Sequence, residues 1–172
     1  MNNIIIDRYG NNKLKEIFSS NLFWVGLALK IILSMSFASS YLTAYFIPFV
    51  NYYFESGFSN PYEFFSNSNN KDIFPYPTFM LIIMAIPRVL FSFMSNFEIS
   101  SFSIFIYRLP LLFADFLILI VLSRLIKQNI RKIIIYYWLS PVLIYISYIH
   151  GQLDAIPVAV LFVSLYFLFK SK

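Results

Sequence analysis

The chain has 172 residues, of which 59% are hydrophobic and 21% aromatic, whereas only 12% are charged. A soluble domain is about half apolar and about a quarter charged, so this composition indicates a membrane protein. The net charge of +5 comes mainly from three short basic segments, which suit an anionic membrane surface better than a nucleic acid. The chain has no cysteine, which excludes disulfide and thiol chemistry.

Five apolar runs follow one another along the chain, and each is a candidate helix. They cover residues 22–42, 77–95, 104–123, 133–149 and 155–169. A spanning helix needs about 17 to 25 residues, so the first four are long enough to cross a bilayer, whereas the last, with 15 residues, could cross only barely. The segment 1–21 before them is predicted to be a cytoplasmic tail.

The distribution of basic residues distinguishes two topologies. If all five runs crossed, most of the positive charge would lie outside, against the positive-inside rule. If the run 77–95 lies in the outer interface instead, nine Lys and Arg residues fall inside and three outside. A crossing would also place Arg88 near mid-bilayer, at a cost of about 2.5–3.5 kcal/mol. We therefore predict one all-α membrane domain with about four transmembrane helices, a cytoplasmic N-terminus and an external loop 41–103 that carries the interfacial helix 77–95.

The external loop is rich in aromatic residues. Its centre reads "YFESGFSNPYEFFSNSNNKDIFPYP", and this content favours packing over disorder. The tract "SNSNNK" predicts a surface turn. Glu55 is one of four acids in the loop that could serve as an external base or ligand, although such side chains are more often simply solvated.

A polar turn, "HGQLD", joins the last two apolar runs. Gly151 permits the turn, and Asp154 is placed to cap the following helix, where free amides favour a carboxylate. Capping and ligand binding are equally good interpretations of Asp154. A simple turn needs neither His150 nor Gln152, so these two are candidate ligands.

Charged residues also lie inside the apolar runs. Arg108 and Asp115 are seven residues apart, on one face of a predicted helix. A carboxylate within a span usually faces a partner, so Asp115 is predicted to have a structural, intramembrane role. The long stem of Lys30 is expected to carry its charge to the cytoplasmic headgroups. No metal-ligand spacing or phosphate loop is visible in the sequence.

Four segments carry a family resemblance: "FIPFVNYYFESGFSNPYEFF", "FPYPTFML", "YRLPLLFADFLI" and "YWLSPVLIYISYIHGQLDAIPVAVLF". In this order they resemble the GT-C membrane glycosyltransferases that use polyprenyl-phosphate sugars. They are similar to the dolichyl-phosphate-glucose glucosyltransferases and to bacterial proteins resembling GPI mannosyltransferases. The glucosyltransferases have a similar arginine, a helical aspartate, and a proline followed by a His-x-Gln motif.

The resemblance implies an enzyme that transfers a hexose from a polyprenyl-phosphate carrier to an extracytoplasmic acceptor. The multi-pass topology and a bias towards Asn, Ile and Lys indicate a bacterial plasma membrane as its location. The carrier lipid is then the donor substrate and a partner, no other cofactor is specified, and the need for a divalent metal stays open. Contacts with the carrier phosphate or sugar are implied for Arg108, His150, Gln152 and Asp154.

The sequence departs from this family at two points. The family has an acidic base soon after the first span, whereas "YLTAYF" has no carboxylate, and Glu55 is the nearest acid downstream. The family also continues through further spans, so the chain is expected to be an N-terminal part or to need a second chain that supplies them. A non-catalytic subunit or carrier-lipid-binding protein of the same fold is the alternative. A small transporter built around Asp115 is a third hypothesis.

Overall fold

The computed structural model describes residues 12–67, 74–92, 100–126 and 128–170, and every regular element among them is helical. The predicted all-α class is therefore confirmed for the described residues. In chain order the helices are α1 (Asn12–Ser19), α2 (Asn21–Ser36), α3 (Ile47–Glu55), α4 (Pro61–Asn67), α5 (Thr78–Leu90), α6 (Ser101–Leu125), α7 (Ile130–Ile133), α8 (Pro141–Ile144) and α9 (Ala155–Lys170). Three π-helical turns adjoin α3, α7 and α8, at Leu42–Phe46, Ile134–Trp138 and Tyr145–His150.

Among the described helices, only α6 is long and apolar enough to cross a bilayer on its own, with 25 residues and a mean hydropathy of 2.2. Two bent pairs pass the same test only if each pair is one span. They are α1 with α2, bent by 68°, and Ile130–Trp138 with Pro141–His150, bent by 43°. The described residues thus hold one to three candidate crossings. Helices α5 and α9 are apolar but shorter, with 13 and 16 residues.

The bend within the predicted span 133–149 has a local cause. Pro141 has no N–H to donate and disfavours helical backbone at the residue before it. Ser140 accordingly has an extended ψ of 119°, and Pro141 begins a new helix. The bend lies between two π-helical turns, Ile134–Trp138 and Tyr145–His150. The π-helical conformation is rare overall but frequent at functional sites.

The predicted tail 1–21 contains a helix. Residues 1–11 lie outside the described residues, but α1 follows and buries Ile17 completely. The indole N–H of Trp24 donates to the carbonyl of Phe18 at 2.8 Å across the turn between α1 and α2. The last part of the tail is thus packed, because its apolar side chains find partners.

Two compact units can be distinguished within the chain. The first comprises the described parts of Met1–Leu33, Leu111–Tyr148 and Gln152–Lys172. Its core is mainly aliphatic with two aromatic rings, and its fully or largely buried members are Ile17, Phe23, Leu119, Ile130, Ile133, Ile134 and Trp138. Phe23 stacks on Trp138 with 5.3 Å between ring centroids, which ties α2 to the π turn after α7.

The second unit comprises the described parts of Ser34–Pro110 together with Ile149–Gly151. Phe49 of α3 stacks on Phe65 of α4 and on Phe74, which precedes α5, at centroid distances of 5.2 and 4.9 Å. The hydroxyl of Tyr62 donates to the carbonyl of Tyr76 at 2.8 Å, and burial raises the pKa of Tyr62 above its ordinary value. The packing predicted from the aromatic content is thus observed.

The predicted interfacial helix 77–95 corresponds to α5, which ends at Leu90. Residues 93–99, and most of the tract "SNSNNK", lie outside the described residues. One face of α5 is buried, and Phe79, Ile82, Ile86 and Leu90 on the other are about half exposed or more. Such an apolar outer face suits a membrane environment better than water.

Candidate functional site

In the second unit, a buried arginine lies against the turn at Gly151, directly after the π turn Tyr145–His150. Arg108 of α6 is only 1% exposed. Its guanidinium lies close to Gly151: a Cβ added at that glycine would be only 3.3 Å from Arg108 Nη2. Gly151 has a φ of +85°, a left-handed conformation that glycine adopts without strain. The structure therefore brings two parts of the predicted site together: Arg108 and the turn that begins at His150.

Ser39 completes this arrangement and lies, like Arg108, on the Cα face of Gly151 where a side chain would be. Its hydroxyl would lie 2.8 Å from the same added Cβ. Ser39 also begins the helical stretch 40–55, since its Oγ accepts the N–H of Leu42 at 3.3 Å and its carbonyl accepts the hydroxyl of Thr43. A helix N-terminus carries a partial positive charge and so favours anions, as a guanidinium does.

The other predicted ligands are distributed differently. His150 ends the π turn Tyr145–His150, and its side chain is exposed. Gln152 and Asp154 are also exposed but belong to the first unit. The backbone N–H of Gln152 donates to the carbonyl of Ile146 at 3.1 Å, and the carbonyl of Asp154 accepts the N–H of Val158 at 3.2 Å. The structure therefore places His150, but neither of the other two, in one unit with Arg108.

Glu55 lies at the opposite end of the helical stretch from Ser39. The stretch 40–55 is about 24 Å long at about 1.5 Å per residue. The Glu55 carboxylate is 61% exposed and faces the guanidinium of Arg88 at 3.6 Å, which is longer than a hydrogen bond. An acid must lie within hydrogen-bond reach of the hydroxyl that it deprotonates, and the contacts of Glu55 place it beside Arg88 and not beside the Ser39–Gly151–Arg108 arrangement.

Arg88 belongs to a polar network that fixes this far end. It is 4% exposed, its Nε donates to Asn51 Oδ1 at 3.2 Å, and its guanidinium carbon lies 4.4 Å from the ring centre of Phe54. Tyr107 donates its hydroxyl to the same Asn51 oxygen. The network joins α3, α5 and α6, so Arg88 is accommodated by partners inside the unit.

A second buried polar cluster lies in the first unit and centres on Asp115. Lys30 donates to Asp115 Oδ2 and forms an ion pair with it. Tyr148 donates to the same oxygen at 2.8 Å, and Tyr137 donates to Oδ1 at 2.6 Å. The expectation that Lys30 reaches the headgroups is wrong, since Lys30 has 0% exposure and its charge is neutralised within the unit.

Trp138 is fitted closely into this cluster. The ammonium nitrogen of Lys30 lies 3.6 Å from its ring centre, and its indole N–H donates to the carbonyl of Phe23 at 3.1 Å. Gly26 makes the fit possible, because a Cβ there would come within 2.5 Å of the indole ring. A glycine in the middle of α2 thus serves a close approach between two helices.

Sequence reasoning missed Ser39, Asn51 and Tyr107 as members of polar clusters. Ser39 lies near the end of the first apolar run, 22–42, and directly precedes a new helix, so a capping motif was the one signal that could have identified it. Asn51 and Tyr107 are 56 residues apart in sequence, and only the fold shows that they meet.

Comparisons of the chain with protein-family models, with curated protein sequences and with solved structures gave no match. Among the described residues, no group of three or more His, Cys, Asp or Glu side chains is placed to hold a metal ion.

Proposed function

We propose that this protein is a four-span membrane protein of the GT-C type that binds a polyprenyl-phosphate sugar and takes part in transferring its hexose to an extracytoplasmic acceptor. The observation that supports it best is the convergence of Arg108, the helix N-terminus at Ser39 and the glycine turn beside His150. The guanidinium and the helix N-terminus each favour an anion, and a lipid phosphate is the anion that a membrane offers.

The position of Arg108 along α6 supports a headgroup ligand. Arg108 follows the start of α6 by seven residues, about 10 Å along the helix axis. In the proposed topology this start is external, so the guanidinium lies between the headgroups and the hydrocarbon core. A phosphate held there would leave its isoprenoid chain in the bilayer and its sugar towards the outer surface.

Hexose transfer from such a carrier breaks the bond between the sugar and the carrier phosphate. The sugar carbon develops oxocarbenium character while negative charge grows on the departing phosphate. Arg108 and the amides at the start of the helical stretch 40–55 would stabilise that growing charge. His150, exposed in the same unit, is our candidate for a sugar or phosphate contact.

A specific observation favours a second candidate function, in which the protein binds the carrier without catalysing transfer itself. Glu55, the candidate base, lies about 24 Å along the helical stretch from Ser39 and faces Arg88 there. In this alternative, a second chain that supplies further transmembrane helices would also contribute the base.

Transfer of a labelled hexose from a polyprenyl-phosphate donor, measured with the purified protein in lipid nanodiscs, distinguishes these functions. We expect donor binding, and we expect Glu55→Gln to retain both the binding and any transfer that the wild type shows. Binding without transfer would support the second candidate. Loss of transfer in Glu55→Gln with unchanged binding would return Glu55 to the catalytic role. A protein that neither binds nor transfers would contradict both functions.

A further inference from the structure

The surroundings of Lys30 have the composition of a binding site for an organic cation. We propose that Asp115, Trp138 and Tyr148 form a cage selective for a primary ammonium group, in which Lys30 is a tethered ligand. The ligand class that the cage accepts is therefore a primary alkylammonium ion. This site lies within the first unit and does not depend on the carrier site proposed above.

Charge and aromatic faces define the cage. The Lys30 ammonium pairs with the Asp115 carboxylate and lies 3.6 Å from the ring centre of Trp138 and 5.2 Å from that of Tyr148. Aromatic faces attract a cation most strongly where water is excluded, and the cage is dry because Lys30, Trp138 and Tyr148 all have 0% exposure. These are the features by which proteins recognise free ammonium ligands.

The hydrogen bonds that Asp115 accepts leave its carboxylate suited to one compact cation. Tyr148 and Tyr137 occupy one oxygen each, and Lys30 adds a third donor. A guanidinium is planar and needs a parallel pair of acceptor oxygens, whereas an ammonium is a compact point charge. With both oxygens already engaged by tyrosines, the carboxylate suits an ammonium better than an arginine fork.

The backbone around the cage is shaped to present these groups. Trp138 comes from the π turn Ile134–Trp138 and Tyr148 from the π turn Tyr145–His150, on either side of the bend at Pro141. The third wall is α2, which approaches Trp138 closely because Gly26 has no side chain. Bent or broken helices with polar groups inside a membrane commonly frame ion sites.

Chemical rescue tests the selectivity of the cage. The variant Lys30→Ala lacks the atoms that n-propylammonium would replace. We expect a lower unfolding temperature in detergent micelles, restored by n-propylammonium but not by 1-propanol or ethylguanidinium at the same concentration. Lys132→Ala, which truncates an exposed lysine of the same unit, should show neither the loss nor the rescue. Equal effects of amine and alcohol, or no effect of the amine, would overturn the proposal.

A measurement on the unmodified protein covers the case in which Lys30→Ala does not fold. The ε-methylene protons of Lys30 lie next to the ammonium that faces Trp138. In protein labelled at lysine, we expect one ε resonance shifted upfield by the ring current and absent from the spectrum of Lys30→Arg. If every lysine ε resonance has the position of a solvated side chain, Lys30 does not occupy the cage.

Discussion

Replacing Asp115 with asparagine is expected to lower the free energy of unfolding by about 3–5 kcal/mol, the loss typical of a buried ion pair that loses one partner. Lys30, at 0% exposure, would then have no carboxylate beside it, so its ammonium must stay buried and unpaired or give up its proton, and either costs stability. Lys30→Met should cost less, because Tyr137 and Tyr148 still donate to the remaining carboxylate. Unfolding by SDS titration in mixed micelles, followed by tryptophan fluorescence, measures both changes.

The double variant Lys30→Met/Asp115→Asn should be less destabilised than the sum of the single variants, because it removes both charges at once. Asp154→Asn is the matched control, since Asp154 belongs to the same unit but is exposed, and its change should stay within about 0.5 kcal/mol. A small loss in Asp115→Asn, or strict additivity of the two single variants, would contradict the buried pair.

Replacing Gly151 with alanine is expected to impair folding and carrier binding together. A left-handed φ costs a non-glycine residue about 1–2 kcal/mol. The new Cβ would also lie 2.8 Å from Ser39 Oγ and 3.3 Å from Arg108 Nη2, so one or both side chains must move. Because these are the groups proposed to hold the phosphate, we expect carrier affinity to fall at least about tenfold, which corresponds to about 1.4 kcal/mol.

Gly57→Ala is a closely matched control for this variant. Gly57 has a φ of +69°, but an added Cβ there meets no atom within 4 Å. Gly57→Ala should therefore lower the free energy of unfolding through backbone strain alone and leave the carrier affinity unchanged. If Gly151→Ala and Gly57→Ala bind the carrier equally well, then the turn is not part of the site.

Much of the fold could be predicted from hydropathy. The run 104–123 lies within α6, Ser101–Leu125, because a continuous apolar run leaves no other stable conformation in a bilayer. The bend at Pro141 was visible as a proline in the run 133–149, but run length alone treats that segment as one helix. The π turns have no comparable signal in the hydropathy pattern.

The polar partners could be predicted only in part. A carboxylate inside a span calls for a partner, and Asp115 has one in Lys30. The partner itself was missed because it is 85 residues away, and a flexible lysine is compatible with the headgroups as well. Glu55 was chosen by its distance in sequence from "YLTAYF", but the helical stretch 40–55 places it at the end opposite to Ser39, beside Arg88.

The most direct test of the central proposal is the binding of a polyprenyl phosphate to the purified wild type and to Arg108→Gln, measured by native mass spectrometry from nanodiscs. Arg88→Gln is the control, because it removes a buried arginine of the same unit that contacts Asn51 and Phe54. We predict binding to the wild type and to Arg88→Gln, with a loss of at least about tenfold in Arg108→Gln. Equal binding by all three proteins, or no binding by the wild type, would contradict a phosphate site at Arg108.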